Sequence, residues 1–308
     1  MRDQESAASD EAPPVEREPK SASAIRSENE GLLSLDTGAG VFSTLVSGRG
    51  PALLLLHGLT ASRAIWEPVI SLLSGRYRIV APDLPGRGVS RAPPGQDYSM
   101  RAELSRLVAM IRMLGLERPL IVGHSYGAAL ALALAGAEGA TRYRPSGLLL
   151  LSPVTPWTPR PSLLPVLTAG VARPIVVPLA QLLRRPLTRY VLEKRVLGNG
   201  RIPSRRLVDD FSAAYARRER VEALLDVLGD WRPSDLMDWM SEIPIPVRVL
   251  AGGQDRRITA AETRRLSARL GAPLRFVPGA GHGLPLDAPF EVRREIDRLQ
   301  DYTRQGDV

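Results

Sequence analysis

Six short apolar runs punctuate the chain after residue 40, and each ends in a turn signal: ALLLLH (52–57), YRIVAPD (77–83), PLIVGHS (119–125), GLLLLSP (147–153), PVRVLAGGQD (246–255) and PLRFVPGAGH (273–282). Continuous runs of this length suit strands buried on both faces, as in a parallel sheet. Stretches with helical spacing separate them. Residues 62–73 follow the first run. Residues 99–114 open on a serine cap and carry Leu104, Leu107, Val108, Ile111 and Leu114 at helical intervals. Residues 126–137 are rich in Ala and Leu, and residues 259–270 and 289–299 complete the set. Strand alternating with helix predicts an α/β fold, a mostly parallel twisted sheet flanked by helices. Residues 33–47 are expected to supply leading antiparallel strands.

The alternation stops after the fourth run. Residues 155–235 are helical in pattern, Pro-punctuated and Arg-rich, with no strand-like run, and predict an inserted helical cap between core segments 31–154 and 236–308. Within this region residues 161–183 have the length of a spanning helix with Arg173 as the one charge. Pro165, Pro174, Pro178 and Gly170 interrupt them, so short apolar helices covering a pocket are expected, with weak peripheral contact to a membrane at most and no stable span. Residues 1–30 are rich in Glu, Ser, Ala and Pro and nearly empty of large apolar side chains, which predicts a disordered tail. No apolar stretch follows a basic start there, so the segment does not read as a secretory signal and the chain is expected in the cytoplasm.

Composition narrows the chemistry. The 308 residues contain no cysteine, which excludes disulfides, thiolate nucleophiles and cysteine metal sites. The net charge of +8 comes almost wholly from Arg, with lysine only at Lys20 and Lys194. This charge is spread over surface-like parts of the chain without a dedicated basic tract, and no nucleic-acid partner is expected. No metal or organic cofactor is implied, because no ligand cluster stands out. The three histidines are His57, His124 and His282, and any mechanism needing an imidazole chooses among them.

Gly123-His124-Ser125-Tyr126-Gly127 follows a strand-like run and precedes a helix. This is the nucleophile-elbow pattern: a serine on a sharp turn, small neighbours that avoid clashes, and a helix whose N-terminus aims amides at the reacting centre. A serine hydroxyl needs a base. His282 sits in a Gly-rich loop after the last strand-like run, where such sheets place ligands. His124 neighbours Ser125 at a tight turn, where adjacent side chains diverge, so a buried structural role is expected for it, and His57 is expected to shape the loop after the first run. The imidazole needs a carboxylate to fix its tautomer. Asp255 ends the preceding run and is the first choice, with Asp235 and Asp238 as alternatives; residues 153–160 offer none. An oxyanion needs two N–H donors, expected from the backbone of Tyr126 and of Leu59.

At HGLT (57–60), DLPGRGVS (83–90), GHSYG (123–127), GGQD (252–255) and GHG (281–283) the chain resembles the α/β-hydrolase superfamily, in particular its capped, esterase- and lipase-like bacterial members. The resemblance implies that fold, the chain order Ser125, Asp255, His282 for the triad, and a structural role for the turn from Asp83 to Ser90. Relatives that open epoxides or remove halogens use an aspartate where Ser125 stands, and Thr60 replaces a proline typical of the epoxide enzymes; both departures argue against those activities. The expected activity is hydrolysis of a small-molecule carboxylic ester or lactone through an acyl-enzyme. The apolar residues Trp157, Leu163, Leu164, Val166 and Leu167 point to an apolar portion of the substrate, with plain packing as the other reading. The same triad also suits carbon–carbon or amide cleavage, acyl transfer or perhydrolysis, and a non-catalytic binding protein of this fold is the alternative from another class.

Overall fold

The structure, a computed structural model, describes residues 31–305 apart from 39, 74, 92–95, 137–143, 160–163 and 241–242. The expected tail of residues 1–30 lies outside the described residues. Strands β1 (Gly31–Asp36), β2 (Val41–Ser47), β3 (Ala52–Leu56), β4 (Arg78–Asp83), β5 (Leu120–His124), β6 (Gly147–Leu151), β7 (Val247–Gly252) and β8 (Leu274–Val277) form one eight-stranded sheet in the order β1-β2-β4-β3-β5-β6-β7-β8. Pairing is antiparallel through β1, β2 and β4 and parallel from β4 onward. The leading hairpin and the parallel body both follow the sequence expectation.

The apolar runs are continuous because both faces of the sheet are covered. Leu54 and Leu56 of β3 pack with Leu104, Leu107 and Ile111 of α2 (Met100–Met113) and with α3 (Tyr126–Gly136). Leu53 and Leu55 point the other way, toward Val69 and Leu73 of α1 (Glu67–Leu73) and Ile296 and Leu299 of the last helix, α11 (Pro289–Gln305). Each such buried leucine contributes about 2 kcal/mol of apolar transfer. The chain passes from β3 outward to β4, then returns to the other side of β3 with β5. That reversal opens a crevice beyond the C-terminal ends of β3 and β5, where open α/β sheets receive ligands.

Two helices depart from expectation. Residues 63–66 form a 3-10 turn before α1 rather than part of one α-helix. Pro68 lacks the N–H that would carry the α-helical ladder back through this turn, and the Arg63 N–H goes to Asp83 Oδ1 (2.7 Å). Helix α11 runs to Gln305, past residue 299. Its last turns are polar but still bury Gln300 and Thr303, so apolar spacing understates it.

Between β6 and β7 lies a helical insertion with no strand among its described residues. It contains α4 (Leu164–Thr168), α5 (Arg173–Leu182), α6 (Arg184–Val191), a π-helical turn (Leu192–Val196), α7 (Arg205–Ser212), α8 (Arg218–Asp230) and a 3-10 segment (Pro233–Trp239). Trp231, Leu236 and Met240 join the core cluster of α2 and α3. Residues 161–163 lie outside the described residues; the rest of the suspected span is α4, a 3-10 turn and α5. No helix among the described residues is long and apolar enough to cross a membrane. Helices α9 (Ala260–Leu270), closed at its start by a Thr259–Glu262 capping box, and α10 (Leu284–Asp287) complete the chain.

Candidate active site

Ser125 caps β5 with a left-handed backbone, φ +55°. Such a conformation costs a side-chain-bearing residue about 1–2 kcal/mol and persists only where the surroundings impose it. Here the Ser125 N–H donates to Leu151 O (2.9 Å), and the Ser125 carbonyl accepts from the Ala128 and Val154 N–H groups (3.1 and 3.3 Å). The flanking glycines are required by contact. A Cβ on Gly127 would lie 2.2 Å from Leu56 O, and one on Gly123 would lie 2.5 Å from Ala128 Cα.

The loop after β3 leans over this elbow. A Cβ on Gly58 would sit 3.4 Å from Ser125 Cβ. The N–H groups of Leu59 and Tyr126 have no hydrogen-bond acceptor among the described residues, so two backbone donors stand free around the serine.

The His282 Nδ1–H donates to Asp255 Oδ2 (2.8 Å), and both side chains are buried. Oδ1 of Asp255 accepts from the Arg257 and Ile258 N–H groups (2.8 and 3.0 Å). Burial would raise the Asp255 carboxyl, but the His282 ring and these two amides hold it below its usual value. Asp235 and Asp238, the alternatives, are exposed on the 3-10 segment and make no contact with His282. Neither Ser125 Oγ nor His282 Nε2 has a hydrogen bond among the described residues, so the structure joins the acid to the imidazole and leaves the serine–imidazole bond unformed. Such bonds often tighten only with substrate in place.

The other two imidazoles are built into the frame. The His124 Nε2–H donates to the carbonyl of His282 (2.9 Å), with ring centroids 5.0 Å apart. His57 accepts the Leu84 N–H at Nε2 (3.0 Å) and donates from Nδ1 to Gly58 O (2.7 Å), tying the loop after β3 to the loop after β4. Burial pushes His57 down to about 4 and His124 down to about 3. The unfolded chain binds protons at these positions below about pH 6.5 whereas the folded chain stays neutral, so their stability contribution is complete above that pH and is lost as pH falls toward the folded values. On the order of 2 kcal/mol per ring should be gone by about pH 5. Thermal unfolding at pH 5 and at pH 7.5 tests this: the midpoint is expected to fall by several degrees, and equal midpoints would reject it.

The turn after β4 is built on Asp83. Its carboxylate pairs with Arg63 and accepts the Val89 N–H (3.0 Å), and a Cβ on Gly88 would fall 2.3 Å from Asp83 Cγ. A cavity of about 240 Å3 lies beside this turn, lined by Arg63, Glu67, Asp83 and Asp210 among others; Ser125, Asp255 and His282 do not line it.

Two arrangements were not expected from the sequence. Asp287, with a side chain 3% exposed, accepts at Oδ2 from the Gly281 and Gly198 N–H groups (2.8 and 2.7 Å) and at Oδ1 from Arg201 (3.0 Å). The Gly283 N–H donates to Val196 O (2.8 Å), so residues 196–201 of the insertion lie directly on the His282 loop. A Cβ on Gly198 would meet Gly279 O at 2.2 Å. The glycines at 198 and at 279, 281 and 283 were the available signal for this close approach. Secondly, Arg87 of the turn from Asp83 to Ser90 is buried. It pairs with buried Glu103, which also accepts the Tyr126 hydroxyl (2.9 Å). The Tyr126 ring meets Trp231 edge-on at 5.0 Å. The side chain of the residue that follows Ser125 is thereby anchored in the core, and burial beside Glu103 keeps its phenol protonated.

Of the apolar positions expected to face substrate, Trp157 has the Arg265 guanidinium stacked on it at 3.8 Å, which is packing. Val166 and Leu167 are exposed. Leu163 lies outside the described residues, as does the side chain of Leu164.

The model of the alpha/beta hydrolase family matches residues 53–295, and the chain belongs to that family of hydrolytic enzymes. It is 29% identical over 288 residues to an uncharacterized protein of Mycobacterium tuberculosis, covering 85% of this chain and 79% of that one. It is 39% identical over 100 residues to the 2-hydroxy-6-oxo-2,4-heptadienoate hydrolase of Pseudomonas putida, 32% of this chain and 34% of the relative. An alpha/beta hydrolase fold protein from Burkholderia ambifaria superposes with a TM-score of 0.75 at 22% identity, over 87% of this chain and 99% of that one, a likeness of fold.

Proposed function

We propose that the chain is a serine hydrolase that cleaves a carboxylic ester or lactone through an acyl-enzyme. The observation that carries this reading is the buried Asp255–His282 pair (2.8 Å) on the loops that follow β7 and β8, in a sheet whose central elbow presents Ser125. Ser125 Oγ attacks the carbonyl carbon while His282 Nε2 takes its proton. The resulting oxyanion accepts from the Leu59 and Tyr126 N–H groups, each donor worth roughly 10²–10³ in rate. Collapse expels the alkoxide, which takes the proton from His282. Water then attacks the acyl-serine with the same base, and the acid leaves. Asp255 holds the Nδ1–H tautomer and stabilises the cation formed at each transfer.

In this reading the insertion, residues 155–235, covers the site. Its contact with the base loop through Asp287 makes Asp287 a positioning residue. Asp287→Ala leaves two buried N–H groups without an acceptor, at about 1–3 kcal/mol each. The expected result is a lower melting temperature and a kcat reduced by about 10–100-fold with KM far less affected, partly rescued in Asp287→Asn, whose amide oxygen restores one acceptor. A change confined to melting temperature would make its role purely structural.

The reading itself is tested with short p-nitrophenyl esters and a fluorophosphonate probe. Ester turnover with covalent labelling at Ser125 supports it. Labelling without turnover of any ester moves the assignment to another bond, such as the carbon–carbon or amide class, and folded protein that does not label is a binding protein of this fold.

A further inference from the structure

The outer surface of the insertion carries a pattern that the chemistry at Ser125 does not use. Val171 of the 3-10 turn before α5, and Ile175, Leu179 and Leu182 of α5 itself, recur at helical intervals and are 90%, 73%, 49% and 77% exposed. The opposite side buries Val177 against Val221 and Leu225 of α8, which anchors α5 with its apolar outer side toward solvent. Leu183 at the junction and Leu187 and Tyr190 on α6 are again exposed. On that helix Arg184 and Arg189 flank the stripe, roughly 100–120° to either side of it.

The segment that carries the stripe has charge of one sign. From residue 155 to residue 192 the sequence contains no Asp or Glu; its charged residues are Arg160, Arg173, Arg184, Arg185 and Arg189. Arg173 and Arg185 reach outside the segment to pair with Asp226 and Asp209. A face with an apolar centre, arginine flanks and a tyrosine near its edge has the chemistry of a helix lying in a bilayer interface, with acyl chains under the apolar side chains and lipid phosphates beside the guanidinium groups.

We infer that the outer face of α5 and α6 docks on an anionic lipid bilayer. A second copy of the chain is the weaker occupant. A two-fold contact sets a patch against itself and would bring arginine toward arginine with no carboxylate from the same segment to pair with. Docking there would hold the insertion, and through residues 196–201 the base loop, at the lipid surface, where apolar esters partition. The surface is independent of the serine chemistry, and the two fail separately.

The test is co-sedimentation of the full chain with vesicles of mixed phosphatidylglycerol and phosphatidylcholine, and with phosphatidylcholine alone, at low and high salt. The wild type is expected to partition onto the anionic vesicles and less so at high salt. Ile175→Glu with Leu182→Glu, and separately Arg184→Gln with Arg189→Gln, are expected to weaken partitioning by about tenfold or more. All four positions lie on the outer helices, and fluorophosphonate labelling in buffer is expected to stay at the wild-type rate in both variants. Absent partitioning of the wild type, or partitioning that both variants retain, overturns the inference. Sedimentation equilibrium showing a dimer that Ile175→Glu with Leu182→Glu dissolves, without vesicle binding, also overturns it and assigns the face to a second copy. Loss of labelling in the wild type would instead sink the hydrolase reading and leave the lipid result standing.

Discussion

Ser125→Ala is expected to lower kcat for a p-nitrophenyl ester by at least about 10⁴-fold while leaving the melting temperature within about 2 °C of wild type. Two observations separate the outcomes. The Ser125 hydroxyl makes no hydrogen bond among the described residues, so its removal leaves no described partner unsatisfied. The left-handed backbone at this position is imposed by main-chain bonds to Leu151, Ala128 and Val154, and alanine tolerates that conformation about as poorly as serine does. Whatever rate remains reports the backbone donors and binding alone, since removing a nucleophile does not remove its oxyanion hole. Full retention of activity in a folded alanine variant would show that another group does the chemistry. A variant that unfolds without a change in specific activity would show that Ser125 is only a hinge of the elbow.

What the sequence revealed and what it hid follow from the range of the physics involved. The strands were legible because a strand covered on both faces writes an unbroken apolar run into a few consecutive residues, as ALLLL does. The elbow was legible because its constraints are local, with glycines on both sides of Ser125 that a Cβ would drive into β3 and α3. Asp255 stood out by its position after a strand and by the chain order that the resemblance implies; the structure adds two amides that hold one oxygen and leave the other for His282. The Asp287 contacts with Gly198 and Arg201 could not be read in this way, because they join its carboxylate to a backbone N–H and a guanidinium nearly ninety residues away, and the glycines that permit the approach do not say which carboxylate meets them. The burial of Arg87 was not legible for a related reason. A buried arginine looks like any other in a chain that uses Arg for almost all its positive charge, and only the approach of Glu103 and Tyr126 distinguishes it. The apolar helices of the insertion were expected to cover a pocket. Periodicity identifies an apolar side but not what it faces, and for α5 that side faces outward.

Asp255→Asn is expected to cost about 10⁴ in kcat with little loss of stability, a larger effect than its near-isosteric shape suggests. The two carboxylate oxygens have different partners. Oδ1 accepts from the Arg257 and Ile258 N–H groups, so an asparagine must place its carbonyl oxygen there or set its NH2 against two donors. With the oxygen committed, the NH2 faces His282 Nδ1 and donates to it. Nδ1 then becomes the acceptor, the ring proton moves to Nε2, and the nitrogen that must take the Ser125 proton no longer has a lone pair for it. Asp255→Ala leaves the ring free to choose its tautomer but strands both amides, so it is expected to retain more activity than asparagine and to melt lower. The order of the two variants is therefore the decisive measurement. Asparagine slower and alanine less stable fits an oxygen-by-oxygen division of labour at Asp255. The reverse order, or an asparagine variant with near wild-type kcat, would mean that the tautomer of His282 is fixed by something other than this carboxylate.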